Sequence, residues 1–268
     1  MYNWKKDIVQ WRIKDTLYLS VVFSWQVEEA ERIAWESKCK VVMGGPALNN
    51  GQQMIGVEPL LFHNPLATFT SRGCPRKCGF CIVPQIEGDF RELKDFRIAP
   101  VVCDNNFLES SMAHIENTVD KLSLLPFVDF NQGLDARLFS KEKAQKLGEL
   151  NCKVRFAFDS FGYESAVKDA VDLAKKYTSK DINIYCLIGY KDTPESARER
   201  LELVRSWGIK PNPMRYQPLD ATIKNSFVHK DWSEGELKKT MRYYSRLNYL
   251  EHIPFEEYNV DKDQGKLF

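Results

Sequence analysis

The sequence predicts an α/β chain built around a partial, TIM-like (β/α)6 barrel. Apolar, β-branched runs of strand length alternate with longer amphipathic stretches. Six of those runs recur at a period of roughly 25 to 30 residues, the arithmetic of βα units. Polar residues follow the runs, at the strand ends where parallel α/β folds place their chemistry. With 268 residues, 43% of them hydrophobic, the chain is long enough for one large domain, or one with a small appendage.

The first elements precede the barrel. "TLYLSVVF" (16–23) reads as a buried strand, "QVEEAERIAWES" (26–37) as a helix and "KVVMGGP" (40–46) as a strand ending in a glycine turn, which together make one βαβ unit. A loop-like stretch, 49–65, leads to "LATFTSRG" (66–73), the first barrel strand. "RIAPVVCDNNF" (97–107), "FVDFNQGLDA" (127–136), "VRFAFDS" (154–160), "INIYCLIGY" (182–190) and "PNPMRYQPL" (211–219) are the other five. Helical patterns fall between them at 109–124, 141–150, 163–177 and 193–207, the last with Thr193 as N-cap and Pro194 at its first position. Six units are too few to close eight strands, so the barrel is expected to be open, with "DWSEGELKKTMRYYSRLNYL" (231–250) as a helical cap and "NVDKDQGKLF" as a frayed end. The expected domains are 1–65, 66–222 and a C-terminal extension, 223–268.

Composition excludes some partners. The 38 basic and 37 acidic residues nearly cancel, so no global field favours nucleic acid or a membrane surface. No apolar run approaches the roughly 20 residues of a membrane span, and "MYNWKKDIVQW" lacks a signal-peptide core. The expectation is a cytoplasmic protein. Seven cysteines, an odd number, fit metal or redox chemistry better than disulfides in that compartment. Cys39, Cys103, Cys152 and Cys186 are scattered and read as small core residues.

The other three sit together in "SRGCPRKCGFC" (71–81), as Cys74, Cys78 and Cys81. Structural zinc would need a fourth ligand, and the four histidines, at 63, 114, 229 and 252, form no partner pair; each reads as a satisfied surface or core residue. Three cysteinates can instead hold three irons of a [4Fe-4S] cluster and leave the fourth open. Gly73, Pro75 and Gly79 suit a tight wrap, and Arg76 and Lys77 put positive charge beside it.

"CPRKCGFC", with spacings of three and two and an aromatic, Phe80, before the last thiol, resembles the signature of the radical S-adenosylmethionine superfamily; the likeness covers about 66–219. The resemblance implies that Cys74, Cys78 and Cys81 bind a [4Fe-4S] cluster. It also implies that S-adenosylmethionine chelates the open iron and is cleaved by one electron to a 5′-deoxyadenosyl radical. Where the superfamily often has a Gly-Gly-Glu-like turn for the cofactor's amino group, this chain has "CDNNF", which makes Asp104 or Asn105 the substitutes. Asp159 and Ser160 match the ribose-contacting strand end, and Ile188 and Gly189 in "CLIGY" match the stretch along the adenine. Segment 19–46 is similar to half of the Rossmann-like domain that precedes cobalamin-dependent members. It lacks an Asp-x-His-x-x-Gly segment, so no cobalamin is expected. A flavodoxin or ferredoxin reductant is implied as partner.

The polar residues left over are the candidate substrate set. Asp135, Arg137 and Arg215 are the candidate catalytic groups, and Asn131, Gln132, Tyr216 and Gln217 the candidate binding groups. Amides and carboxylates read the edges of a purine-like base, and arginine suits a phosphate or carboxylate. The structural alternative is a local Asp135–Arg137 salt bridge and a turn capped by Gln217. A small nucleoside or nucleobase is the expected substrate, with no stable nucleic-acid partner. Among compact, stand-alone members of the superfamily it looks closest to the queuine-salvage lyases, which release queuine from queuosine or its 5′-phosphate. The competing classes are a methyl- or methylthiotransferase acting on tRNA or protein, for which no second cysteine set exists, and a non-catalytic iron-sulfur or zinc protein.

Overall fold

Val9 and Trp11 are buried while Gln10 and Arg12 face solvent, the period-2 alternation of a half-covered strand. A computed structural model of the chain describes residues 4–5, 8–48, 58–179, 181–218, 220–250 and 252–260. The chain forms two compact units, Met1–Asn105 with Gln217–Ser226, and Asn106–Tyr216 with Phe227–Phe268.

In the first unit β1 (Val9–Ile13) pairs antiparallel with β2 (Thr16–Ser20), turning at Lys14 with φ +51°. Helix α1 (Val27–Glu36) then crosses to β3 (Lys40–Gly44), which runs parallel to β2 in the register Thr16 to Lys40. The βαβ unit expected from the sequence is therefore present. The antiparallel strand ahead of it is an addition the sequence reading did not include, and it makes the sheet three-stranded and mixed. Trp11 stacks on Phe62 of the short α2 (Leu60–His63) at 4.4 Å and on Tyr18 at 5.6 Å, covering that sheet's apolar side. His63 is buried, with Nε2 2.9 Å from the Ser20 hydroxyl and Nδ1 3.0 Å from the Lys5 carbonyl. It is the satisfied core histidine that its isolation predicted.

The long strand expected over 66–73 is two short ones. β4 (Ala67–Thr68) pairs parallel with a later strand, whereas β5 (Ser71–Arg72) turns to pair antiparallel with β6 (Arg91–Glu92), across a loop that holds the short helix α3 (Val83–Ile86). The partner of β4 is β7 (Val101–Val102), in the register Ala67 to Val101. Between the two pieces the Thr70 N–H donates to the Asp104 side chain instead of to a strand, and this breaks the ladder. Ala67, Val101 and Cys103 form a buried cluster beneath Trp4, Leu60 and Phe69, so Cys103 is a core residue as expected.

In the second unit the βα alternation is regular. Helix α4 (Met112–Leu122), capped by Ser111, precedes β8 (Val128–Phe130), and α5 (Lys141–Leu147), capped by Ser140, precedes β9 (Cys152–Ala157). Helix α6 (Glu164–Leu173) runs on into a π turn at Ala174–Thr178 and then to β10 (Asp181–Ile188). Helix α7 (Pro194–Ser206) begins at the Thr193 cap with Pro194 in its first turn, as the sequence predicts, and leads to β11 (Pro211–Arg215). These four strands lie parallel in the order β11-β10-β9-β8, with Ile184 opposite Pro211, Ile182 opposite Val154 and Val128 opposite Cys152. Two prolines are tolerated in β11 because it is an edge strand. Helix α8 (Glu234–Ser245), opened by a Ser233/Glu236 capping box, packs on β11 and α7, and the short α9 (Leu247–Leu250) follows. Residues 49–57, most of the loop-like stretch before β4, and 261–268, most of the expected frayed end, lie outside the described residues.

Candidate functional site

The cysteine loop is held shut at its base. Ser71 pairs with Glu92 and Arg72 with Arg91, and the Leu93 N–H donates to the Thr70 carbonyl at 2.9 Å. The Arg72 guanidinium forks onto Glu87, its Nε donating to Oε2 at 2.8 Å, while its other face lies over the Phe69 ring at 3.8 Å. Gly73 has φ +78°, and a Cβ there would stand 2.3 Å from the Asp89 carbonyl oxygen, so only glycine fits where the chain enters the loop. Cys74, Cys78 and Cys81 follow, all half-buried and none in a disulfide, with a tight turn closed by the Cys81 N–H donating to the Cys78 carbonyl at 3.0 Å. Phe80 and Arg76 are half-buried and Lys77 is exposed.

Among the described residues no three His, Cys, Asp or Glu side chains are grouped to hold a metal ion. The loop is therefore not a preformed mononuclear site. A cubane cluster asks for something else, because each of its irons takes a separate thiolate. Three half-buried thiols within eight residues of one clamped loop supply that donor set.

Asp104 and Asn105, expected to receive a cofactor amino group, follow β7 and reach the root of this loop. Asp104 accepts from the Thr70 N–H at 2.6 Å, the Thr70 hydroxyl at 2.5 Å and the Ser71 hydroxyl at 2.7 Å, and Asn105 Oδ1 accepts from the Gly73 N–H at 3.0 Å. Burial pushes the Asp104 carboxyl up, and the bonds from Thr70 and Ser71 pull against it.

The other predicted residues belong to the second unit, except Gln217. Asp159, after β9, accepts from the Leu187 N–H at 2.9 Å; burial pushes its carboxyl up, opposed by that bond and then by Arg200 and Arg137. Ser160 is exposed and caps the turn that follows, accepting from the Gly162 N–H at 3.2 Å. Ile188 is buried at the end of β10, and the Gly189 N–H donates to Asp192 at 2.9 Å from a φ of +78°. Asp135 and Arg137 form the local salt bridge that was the structural alternative, Nε to Oδ1 at 2.7 Å and Nη2 to Oδ2 at 2.9 Å, with the guanidinium over the Tyr163 ring. Arg215 forks onto Glu234 at 3.0 and 2.7 Å and donates to the Phe227 carbonyl at 2.7 Å. Tyr216 packs between Tyr190, 4.7 Å away, and Phe227, 5.2 Å away. Gln132 is exposed, and the Asn131 carbonyl lies 3.4 Å from the Tyr185 hydroxyl. In the first unit, Gln217 accepts from the Asn225 N–H at 2.9 Å, closing the turn the alternative reading gave it.

Sequence reasoning missed two sets. Thr70 and Ser71 supply the donors to Asp104. Their only signal is a pair of hydroxyls just before the glycine of the loop. Arg200, 3% exposed on the inner face of α7, donates to the Leu187 carbonyl at 2.5 Å, the Asp159 carbonyl at 3.1 Å and Asp192 at 2.9 Å, and the Trp232 indole N–H also donates to Asp192. A charge at the apolar spacing Ala197, Arg200, Leu201, Val204 is the signal that could have found it.

No protein-family model matches the chain, and no curated protein matches it. Among solved structures it is similar to coproporphyrinogen III oxidase (HemN) from Escherichia coli, described as a radical SAM enzyme, with 15% identity and a TM-score of 0.43. The likeness covers 58% of this chain and 41% of that one. A likeness at that level fixes neither fold nor activity.

Proposed function

We propose that the chain is a radical S-adenosylmethionine enzyme that acts on a small nucleoside-like molecule, releasing queuine from queuosine or its 5′-phosphate. The observation that carries the class is the loop itself: Cys74, Cys78 and Cys81, spaced three and two apart, half-buried and unbridged, on a turn locked by Gly73 and by the pairing of β5 with β6. Bound there, a [4Fe-4S] cluster and S-adenosylmethionine would supply a one-electron reductive cleavage that ends in hydrogen abstraction from the substrate.

The chain's own contribution is to hold and orient. Cys74, Cys78 and Cys81 are the ligands, and Phe80, half-buried just before the last of them, is the cofactor-binding aromatic of the loop. What supports the substrate class lies in the second unit, where Tyr190, Tyr216 and Phe227 present aromatic surface beside Arg215. A heterocyclic base finds stacking area on such rings. Arg137 and Arg215 are each forked onto a carboxylate, so a substrate phosphate at either would exchange one anionic partner for another.

The test is anaerobic. The reconstituted protein is given S-adenosylmethionine and a strong reductant, and 5′-deoxyadenosine is quantified by mass spectrometry with and without queuosine 5′-phosphate. The expected result is a burst that depends on the nucleotide, with free queuine alongside it. Slow formation indifferent to the nucleotide would keep the class and discard the lyase. No 5′-deoxyadenosine from a protein holding its full iron would remove the class.

A further inference from the structure

The end of β7 and the root of the cysteine loop are joined by side chains from two consecutive residues. Asp104 spends both carboxylate oxygens on the loop: Oδ1 on the Thr70 N–H, and Oδ2 on the hydroxyls of Thr70 and Ser71. Asn105 takes the N–H of Gly73, the residue before Cys74. Asp104 is 3% exposed, so little of it faces any molecule outside the chain. Three of its roughly four lone-pair positions are already filled.

Residues 70, 71 and 73 are thus fixed from one side by β7, and on the other side Gly73 is pressed against the Asp89 carbonyl. The chain has one way into Cys74. A rotation at this root would carry Cys74 with it, and beyond it Cys78 and Cys81 are tied to each other by the Cys81 N–H on the Cys78 carbonyl.

We propose that Asp104 and Asn105 are positioning residues that set the pose of the three thiols by clamping the loop root. They act through Thr70, Ser71 and Gly73 and are not themselves contacts for S-adenosylmethionine. This rests on the reading of the loop as a cluster site.

The experiment uses the full chain in two forms. In the metal-free protein, alkylation of each cysteine by N-ethylmaleimide is followed by mass spectrometry under native conditions for the wild type, Asp104→Ala and Asp104→Asn. Cys152 and Cys186, buried and with thiols pushed up to about 12, serve as internal references. The expected result is labelling of Cys74, Cys78 and Cys81 at least about tenfold faster in Asp104→Ala, the factor that loss of even one of its three charge-assisted hydrogen bonds produces in a local opening equilibrium. Asp104→Asn, which keeps one acceptor oxygen, should fall between, and Cys152 and Cys186 should stay protected in all three.

In the reconstituted protein, Asp104→Ala should bind less iron and shift the electron paramagnetic resonance signal of the reduced cluster. Loop labelling rates equal to wild type would overturn the proposal, as would equal acceleration at all five cysteines, which means general unfolding. Should Asp104→Ala not fold, Ser71→Ala removes a single donor to the same carboxylate and is expected to accelerate labelling by a smaller factor, with unchanged rates again overturning the clamp. A wild type that takes up no iron refutes the cluster reading alone, because the labelling comparison needs no metal.

Discussion

At the scale of single residues, Asp159 shows a carboxylate held at a strand end against its own desolvation. Its largest perturbation is burial, which raises its proton affinity; the Leu187 N–H, Arg200 and Arg137 oppose it without cancelling it. A carboxyl whose folded-state pKa lies above its unfolded value contributes stability at low pH that is lost as pH rises through the raised value. Asp159→Asn does not titrate and keeps an acceptor for the Leu187 N–H. The variant is therefore expected to gain on the wild type as pH climbs from the ordinary carboxylate range through the raised value, in thermal melts of the metal-free protein. A stability difference that stays flat across that window would mean the carboxyl is not raised. Asp159 was visible in the sequence as a polar residue after an apolar run. Arg200, which donates to its carbonyl, and Asp192, which Arg200 also meets, were not, because they lie on other elements, and only packing brings them to the ends of β9 and β10.

Among the elements, the cysteine loop is clamped at its root by groups other than its thiols. The pairing of β5 with β6, the Arg72–Glu87 fork and the bonds to Asp104 and Asn105 all lie at or outside the loop root. Cys78→Ala is therefore expected to abolish iron uptake while leaving the circular dichroism spectrum of the metal-free protein unchanged and its unfolding free energy within about 0.5 kcal/mol of wild type, the usual range for a change away from the core. Full iron content in that variant would remove Cys78 from the ligand set. Elements with strong periodicity were readable in advance: α7 with its Thr193 cap, β9 and β10 with their alternation, and α8 within 231–250. The single strand expected over 66–73 was not, because its strand-like pattern continues through Phe69 and Thr70 while the backbone hydrogen bonds there change partners. β1 was overlooked because a five-residue strand in a charged stretch of sequence carries little signal until Trp11 has Phe62 and Tyr18 to stack on.

For the whole molecule, charge balance makes a prediction about what it acts on. With 38 basic and 37 acidic residues the chain has no net field to gather a polyanion. Turnover of a small nucleoside is expected to change less than about twofold between about 50 and about 200 mM salt, whereas a tRNA held through several phosphates would lose a hundredfold or more in affinity. A steep salt dependence of kcat/KM would overturn the small-molecule reading. No helix among the described residues is long and apolar enough to cross a membrane, in line with the absence of any such run in the sequence. The sequence by itself determined the α/β alternation, the Thr193 cap and the grouping of Cys74, Cys78 and Cys81, because each depends on spacing within a few residues of chain. Only the tertiary structure decided that Asp104 and Asn105 turn onto the loop root, that Arg215 meets Glu234 and that Arg200 ties two strand ends. Those pairings span 8 to 41 residues of sequence, and a hydrogen bond's partner at that range is chosen by how the elements pack.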